Sequence, residues 1–324
     1  MEQARGIVRT PWKAAYRLRL DEPATAGLER IYADQIERAR AVLEDPSEDP
    51  FEAVYEARRS LKRARSVLRF VRGPLGSDFA DENARMQSVA KLLAPRREAG
   101  AALETLDRLA ERFAGRLPAT ALAAGRRRME GLLYSAPDVR AEAARALEAP
   151  KLDLEAHLPE GDWEILLPGI TRTYARGRRA LRRAAKKGTT AAFHAWRKRV
   201  KDLWHQAELL VESSPSFLKP VARNAHDLSD LLGNAHDLDE LERLLEPRGR
   251  QRAVGRAPAS LSRLIAELRA EDRAAALRLG DRVYAERPKA FVRRMEAYWA
   301  AWRRETPIEA SVVDAGPGEA NAAA

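Results

Sequence analysis

The chain has 324 residues, a formal net charge of +10, 45% apolar and 33% charged residues, and no cysteine. That balance excludes a disulfide framework, a thiol nucleophile and Cys-ligated zinc, and it favours an anionic partner such as nucleic acid, a phosphate polymer or an acidic membrane surface. Ala, Arg, Leu and Glu dominate while β-branched residues are sparse, which predicts an all-α fold.

In chain order, residues 1–14 read as an N-terminal tail. The opening "MEQARGIVRTPWKAAYRL" lacks the apolar core of a signal peptide. No apolar run approaches the roughly 20 residues of a membrane span, so a cytoplasmic protein is expected. A helical region over 15–305 follows, punctuated by "LEDPSEDPF" (43–51), "GPLGSDF" (73–79) and "VESSPSF" (211–217). It divides into a first half, 15–150, a connector, 151–161, and a second half, 162–305. The small, Gly/Pro-punctuated residues 306–324 read as a C-terminal tail.

The first strongly amphipathic helix is predicted from about Phe51 to Arg72. Val54, Ala57, Leu61, Ala64, Leu68 and Val71 alternate at spacings of 3 and 4, which makes one buried face. One residue on runs a cationic stripe of Arg58, Lys62, Arg65, Arg69 and Arg72, about 100° round the helix. A second such helix is predicted over Arg172–Lys187, with eight cations and no acid. Its core face is Ile170, Tyr174, Gly177, Leu181 and Ala184, and Arg172, Arg176, Arg179 and Arg183 lie nearly opposite.

The stretch "FHAWRKRVKDLWHQAELL" (193–210) repeats the first pattern. Arg58 falls on Arg197, Arg59 on Lys198 and Lys62 on Lys201, at an offset of 139 residues. The same offset lays "LLAPRREA" (92–99) on "LLGNAHDL" (231–238). Upstream, "GLERIY" (27–32) matches "GITRTY" (169–174), and downstream "LYSAP" (133–137) matches "VYAERP" (283–288). Four matches in one order argue for duplication: two similar helical bundles related by a pseudo-two-fold axis. In the second copy Phe193, Trp196, Val200, Leu203, Ala207 and Leu210 form the core stripe, flanked by His194, Arg197 and Lys201.

A solvated helix face ordinarily mixes signs, whereas like charges at i,i+3 and i,i+4 cost a few tenths of a kcal/mol per pair. These acid-poor stripes therefore favour anion binding over simple solvation. The five histidines are His157, His194, His205, His226 and His236. His226–Asp227 and His236–Asp237 make two HD pairs of the kind used by metal-dependent phosphohydrolases. Ten residues along one helix turn about 1000°, so the two pairs do not share a face. His194 and His236 lie on equivalent segments, where a helix-packing or anion-contacting role is preferred to metal ligation. The glycine-rich phosphate loop and the G-x-S-x-G elbow are absent from the sequence.

With "FHAWRKRVKDLWHQAELL", "LLGNAHDL", "GITRTYARGRRAL" and "ERPKAFVRRMEAYWAAW" in this order, the chain resembles the CHAD family of conserved-histidine α-helical domains, from about Tyr16 to Arg304. The resemblance implies a pair of four-helix bundles with a basic pore or groove between them. It further implies binding of inorganic polyphosphate and targeting to polyphosphate granules. The family's histidine-and-basic motif falls on His194, Arg197, Lys198 and Lys201, and in the first half on Arg58, Arg59, Lys62 and Arg65. Tyr55 stands where the first histidine is expected, and Trp204 where the later cation of the second copy is expected. These departures weaken metal chelation by paired histidines more than phosphate binding, because a tyrosine hydroxyl still donates to an oxyanion.

The expected function is therefore non-catalytic polyphosphate binding, with no cofactor and no metal. The expected contacts are Arg58, Arg59, Lys62, Arg65, Arg69, Arg172, Arg176, Arg179, His194, Arg197, Lys198, Lys201 and His236. The rivals are a helical nucleic-acid binder, which needs exposed aromatics beside the cations, and a metal-dependent phosphohydrolase, which needs carboxylates where the stripes have none.

Overall fold

The computed structural model describes residues 16–116, 119–148, 152–245 and 259–305, so both expected tails lie outside the described residues. Among these residues there are helices and turns and no strand. The first half comprises α1 (Ala24–Glu44), α2 (Pro50–Phe70), the short α3 (Arg72–Leu75), α4 (Asp78–Leu92), α5 (Ala94–Arg112), α6 (Ala119–Ser135) and α7 (Arg140–Glu148). After α8 (Leu154–His157) come α9 (Trp163–Lys187), α10 (Thr190–Leu209), a 3₁₀ turn (Val211–Ser213), α11 (Pro215–Leu245), α12 (Ala259–Val283) and α13 (Pro288–Trp302). None of these helices is long and apolar enough to cross a membrane.

The breaks in the sequence become caps. Asp49 starts α2 by accepting from the backbone N–H groups of Phe51 and Glu52 at 2.8 and 3.1 Å, with Pro50 at the first helical position. Gly188, at φ 63°, ends α9 in the left-handed conformation that glycine adopts without strain, and Thr189 caps α10 by accepting from Ala192 N–H at 3.3 Å. The expected connector is not a free strap. Its Leu154 is buried, and the Leu154 N–H donates to Glu29 Oε2 of α1 at 2.8 Å.

All three apolar stripes read from the sequence are buried, from Val54 through Val71, from Phe193 through Leu210 and from Ile170 through Ala184. They meet in one large core fed by both halves. A smaller cluster joins Leu106 and Leu109 of α5 with Met129, Leu238, Leu241 and Ile265 of α6, α11 and α12. Helix α1 packs on α2, α9 on α10, and α11 on both α10 and α12; across the halves α2 packs on α10 and α5 on α11.

The α2–α9 crossing is tight. A Cβ on Gly169 would collide with the carbonyl oxygen of Phe70. Gly169→Ala is therefore expected to destabilise the fold by about 1–3 kcal/mol, the range for overpacking, measurable as a lower denaturation midpoint with unchanged m-value.

Candidate functional site

Four helices wall a cavity of about 440 Å³. Tyr55, Arg58, Arg59 and Lys62 come from α2, Arg97 from α5, Lys201, Trp204, His205 and Glu208 from α10, and His226 and Asp230 from α11. Each cavity cation on α2 and α10 sits just beside a buried anchor: Lys62 follows Leu61, and Lys201 follows Val200. Burying those apolar neighbours fixes the direction in which the cations project.

Lys62 turns much of its surface to solvent in the cavity, yet protein surrounds it on nearly every side. Lost hydration, and then the charges of Lys201, Arg58, Arg197 and Arg97, hold its ammonium pKa well below the ordinary lysine value. Lys201 is pushed down to about 7, by burial first and then by Arg197, with Asp237 and Asp230 opposing the shift and Arg97 adding to it. Cations from both halves therefore converge on one space.

The convergence follows the repeat. The offset that relates Arg58 to Arg197 also relates Tyr55 to His194, Arg97 to His236 and Glu98 to Asp237. The His194 and His236 rings lie 4.6 Å apart, and the Arg97 guanidinium lies over the Tyr55 ring at 5.4 Å. Glu98 is the acid nearest in effect to Arg58, as Asp237 is to Arg197. His194 is pushed down to about 4, by burial first and then by His236, Lys198 and Arg197, so it is neutral near pH 7. Burial and then Arg197 also lower the pKa of His236.

The expected contact residues divide into three groups. Arg58, Arg59, Lys62 and Lys201 line the cavity. Arg197, the His194–His236 pair and exposed Lys198 continue from Lys201 towards the start of α10. Arg65 and Arg69 lie one and two turns past Lys62 and are turned to protein partners. Arg65 Nε donates to Asn83 Oδ1 at 3.1 Å, and Arg69 Nε sits 2.7 Å from buried Asp202, which Arg199 also meets at 3.1 Å. Arg172, Arg176 and Arg179 lie outside the cavity on α9, and Arg176 and Arg179 are exposed.

The two HD pairs part company. His226 pairs with Asp230 at 2.9 Å and meets the edge of Trp204 at 4.2 Å, while His236 faces His194. Among the described residues no three of His, Cys, Asp and Glu gather at metal-binding spacing. Trp196 is core, whereas Trp204 is half-buried and stacks on His205 at 4.5 Å. Arg97 was not among the expected contacts, although extending the repeat from His236 would have found it.

A family model for the CHAD domain matches residues 26–246. The chain belongs to the CHAD-domain family. No curated protein and no solved structure matches it. CHAD domains are known from polyphosphate-associated proteins. The CHAD match runs from α1 to the end of α11 and so includes every helix that walls the cavity.

The shifted lysine has a consequence for stability. Lys201 titrates at about 7 in the folded CHAD domain and near 10.5 when unfolded. Below about 7 it is charged in both states, and the folded state bears the full cost of confinement. Above that, the unfolded chain holds the extra proton, so stability rises with pH up to the unfolded value. Lys201→Met is expected to flatten that rise in urea denaturation between pH 6 and 9.

Proposed function

We propose that this CHAD domain binds inorganic polyphosphate non-catalytically in the cavity between α2, α5, α10 and α11. The observation that carries this reading is the meeting of repeat-equivalent cations, Lys62 with Lys201, beside one enclosed space. Nearby Glu98, Asp237 and Asp230 temper the repulsion among these cations, which phosphate oxygens would offset more fully. Guanidinium forks pair with phosphate oxygens bidentately, and the lysines act as point charges. In this reading the halves 15–150 and 162–305 form one site about a pseudo-two-fold axis, and the cavity is the basic pore. In the cell the same affinity would bring the cytoplasmic chain to polyphosphate granules.

The cavity's dimensions favour polyphosphate over nucleic acid. At 440 Å³ it falls within the ordinary small-ligand range of about 300–1,000 Å³ and admits no duplex. A single strand would need bases stacked on aromatics, but Trp204 is already stacked on His205 and met by His226, and the Arg97 guanidinium lies over the Tyr55 ring.

Charge reversal separates a localised site from general basicity. Lys62→Glu and Lys201→Glu are each expected to weaken polyphosphate binding strongly while leaving helicity intact. Arg127→Glu, an exposed reversal on α6 outside the cavity lining, is expected to change little. Equal losses at all three positions would reduce the protein to a diffuse polycation.

Binding should also be pH-linked. An anion entering the cavity favours the protonated lysines, so affinity is expected to rise as pH falls from about 8 to 6, with net proton uptake seen by calorimetry in buffers of different ionisation enthalpy. Lys201→Arg should flatten the profile, because arginine stays charged across that range.

A further inference from the structure

Helix α9 carries the densest positive charge in the chain, and the cavity uses none of it. From Thr171 to Lys187 it has eight cations and no acid. Arg178 is turned away, its Nε donating to the Tyr284 carbonyl at 3.1 Å, while Arg176, Arg179, Arg182, Arg183, Lys186 and Lys187 are exposed.

Where the middle of α9 passes α3, three arginines come together. Burial first, and then Arg72 and Arg176, lower the pKa of Arg172, and no ion pair to a carboxylate joins any of the three among the described residues. Arg72 is exposed and its guanidinium lies over the Phe79 ring at 4.8 Å, a contact that positions the group without neutralising it. Arg172 is packed into the corner between α2 and α3, where its Nη2 lies 3.3 Å from the place a Gly73 Cβ would occupy. Its Nη1 is buried and has no hydrogen-bond partner. A buried donor without an acceptor is destabilising, and here two further cations stand around it. An anion carrying several acceptor oxygens would accept from the exposed Arg72 and Arg176 guanidinium groups and offset the repulsion around Arg172.

We propose that Arg72, Arg172 and Arg176 form a second phosphate-binding site outside the cavity, which takes a further segment of a long polyphosphate chain. This rests on the polyphosphate reading of the cavity. From Lys62 to Arg72 is ten residues, about 15 Å at helical rise. A long chain reaches from the cavity to the outer site, whereas tripolyphosphate does not. A nucleic acid would draw on aromatic platforms, and the exposed large apolar side chains, Tyr55, Leu132, Tyr134 and Tyr298, are all on other helices.

The test compares two ligand lengths on the full chain. The variant Arg72→Glu/Arg176→Glu changes two exposed side chains, and circular dichroism and melting check that the fold is kept. Wild type is expected to bind long-chain polyphosphate more tightly than tripolyphosphate. The variant should bind tripolyphosphate as wild type does and lose roughly tenfold or more for the long chain, as expected when one of two linked contacts is removed. Unchanged long-chain affinity would overturn the proposal, and so would an equal loss for both lengths. A loss confined to duplex DNA would also overturn it and assign the face to nucleic acid. Lys62→Glu serves as the separate control: if tripolyphosphate binding survives that change, the cavity reading fails, whatever the outer-site variant does.

Discussion

The structure turns on holding like charges in a confined space. Lys201, Arg58, Arg197 and Arg97 all act on Lys62, and Arg197 and Arg97 also act on Lys201, around a cavity whose walls restrict hydration. Such an arrangement persists only if the chain has no cheaper way to turn those side chains outward, and here it has none. Rotating α2 to free Lys62 would pull Leu61 and Val54 from the core, and rotating α10 to free Lys201 would expose Val200 and Trp196. Each fully buried aliphatic side chain contributes about 1.5–3 kcal/mol, so a few anchors outweigh the repulsion. Acidic neighbours, Glu98 beside Arg58 and Asp237 beside Arg197, temper it further.

The same two helices are tied at the far end of the stripe by a buried carboxylate. Asp202 of α10 receives Arg69 of α2 and Arg199 of its own helix. A buried charge is tolerated when it is paired, and removing one partner leaves an uncompensated ion. Arg69 thus belongs to the cation stripe by sequence and to the framework by structure. It ties α2 to α10 two turns past Lys62.

The helical class, the buried stripes and the cation flanks were legible because each depends on a period of 3.6 residues within one segment. The repeat carried the reading further. It placed Lys62 and Lys201 in corresponding positions, whereas the His194 and His236 rings, both in the second half, meet because α10 packs on α11. What a single helix could not disclose was where along its axis the cavity ends. Arg65 and Arg69 share a face with Lys62, yet Asn83 and Asp202, brought in from α4 and α10, occupy them. Arg97 escaped for the opposite reason: it lies on a helix without a continuous cationic stripe, and only its equivalence to His236 marks it.

The two cation stripes also differ beyond the cavity lysines. In the first half Lys62 is followed by Arg65, Arg69 and Arg72; at the equivalent positions the second half has Trp204, Glu208 and Val211 after Lys201. On α10 the lining beyond Lys201 is Trp204, His205 and Glu208, an aromatic and acidic set that offers a polyanion little. On the first-half side Arg65 and Arg69 are held by Asn83 and Asp202, and Arg72 beyond them stands beside Arg172 of α9. A symmetric pore would hold a polyanion equally from either end. On the proposed polyphosphate reading, Glu208 disfavours one direction and Arg72 and Arg172 favour the other, so a chain longer than the cavity would have one electrostatically favoured exit.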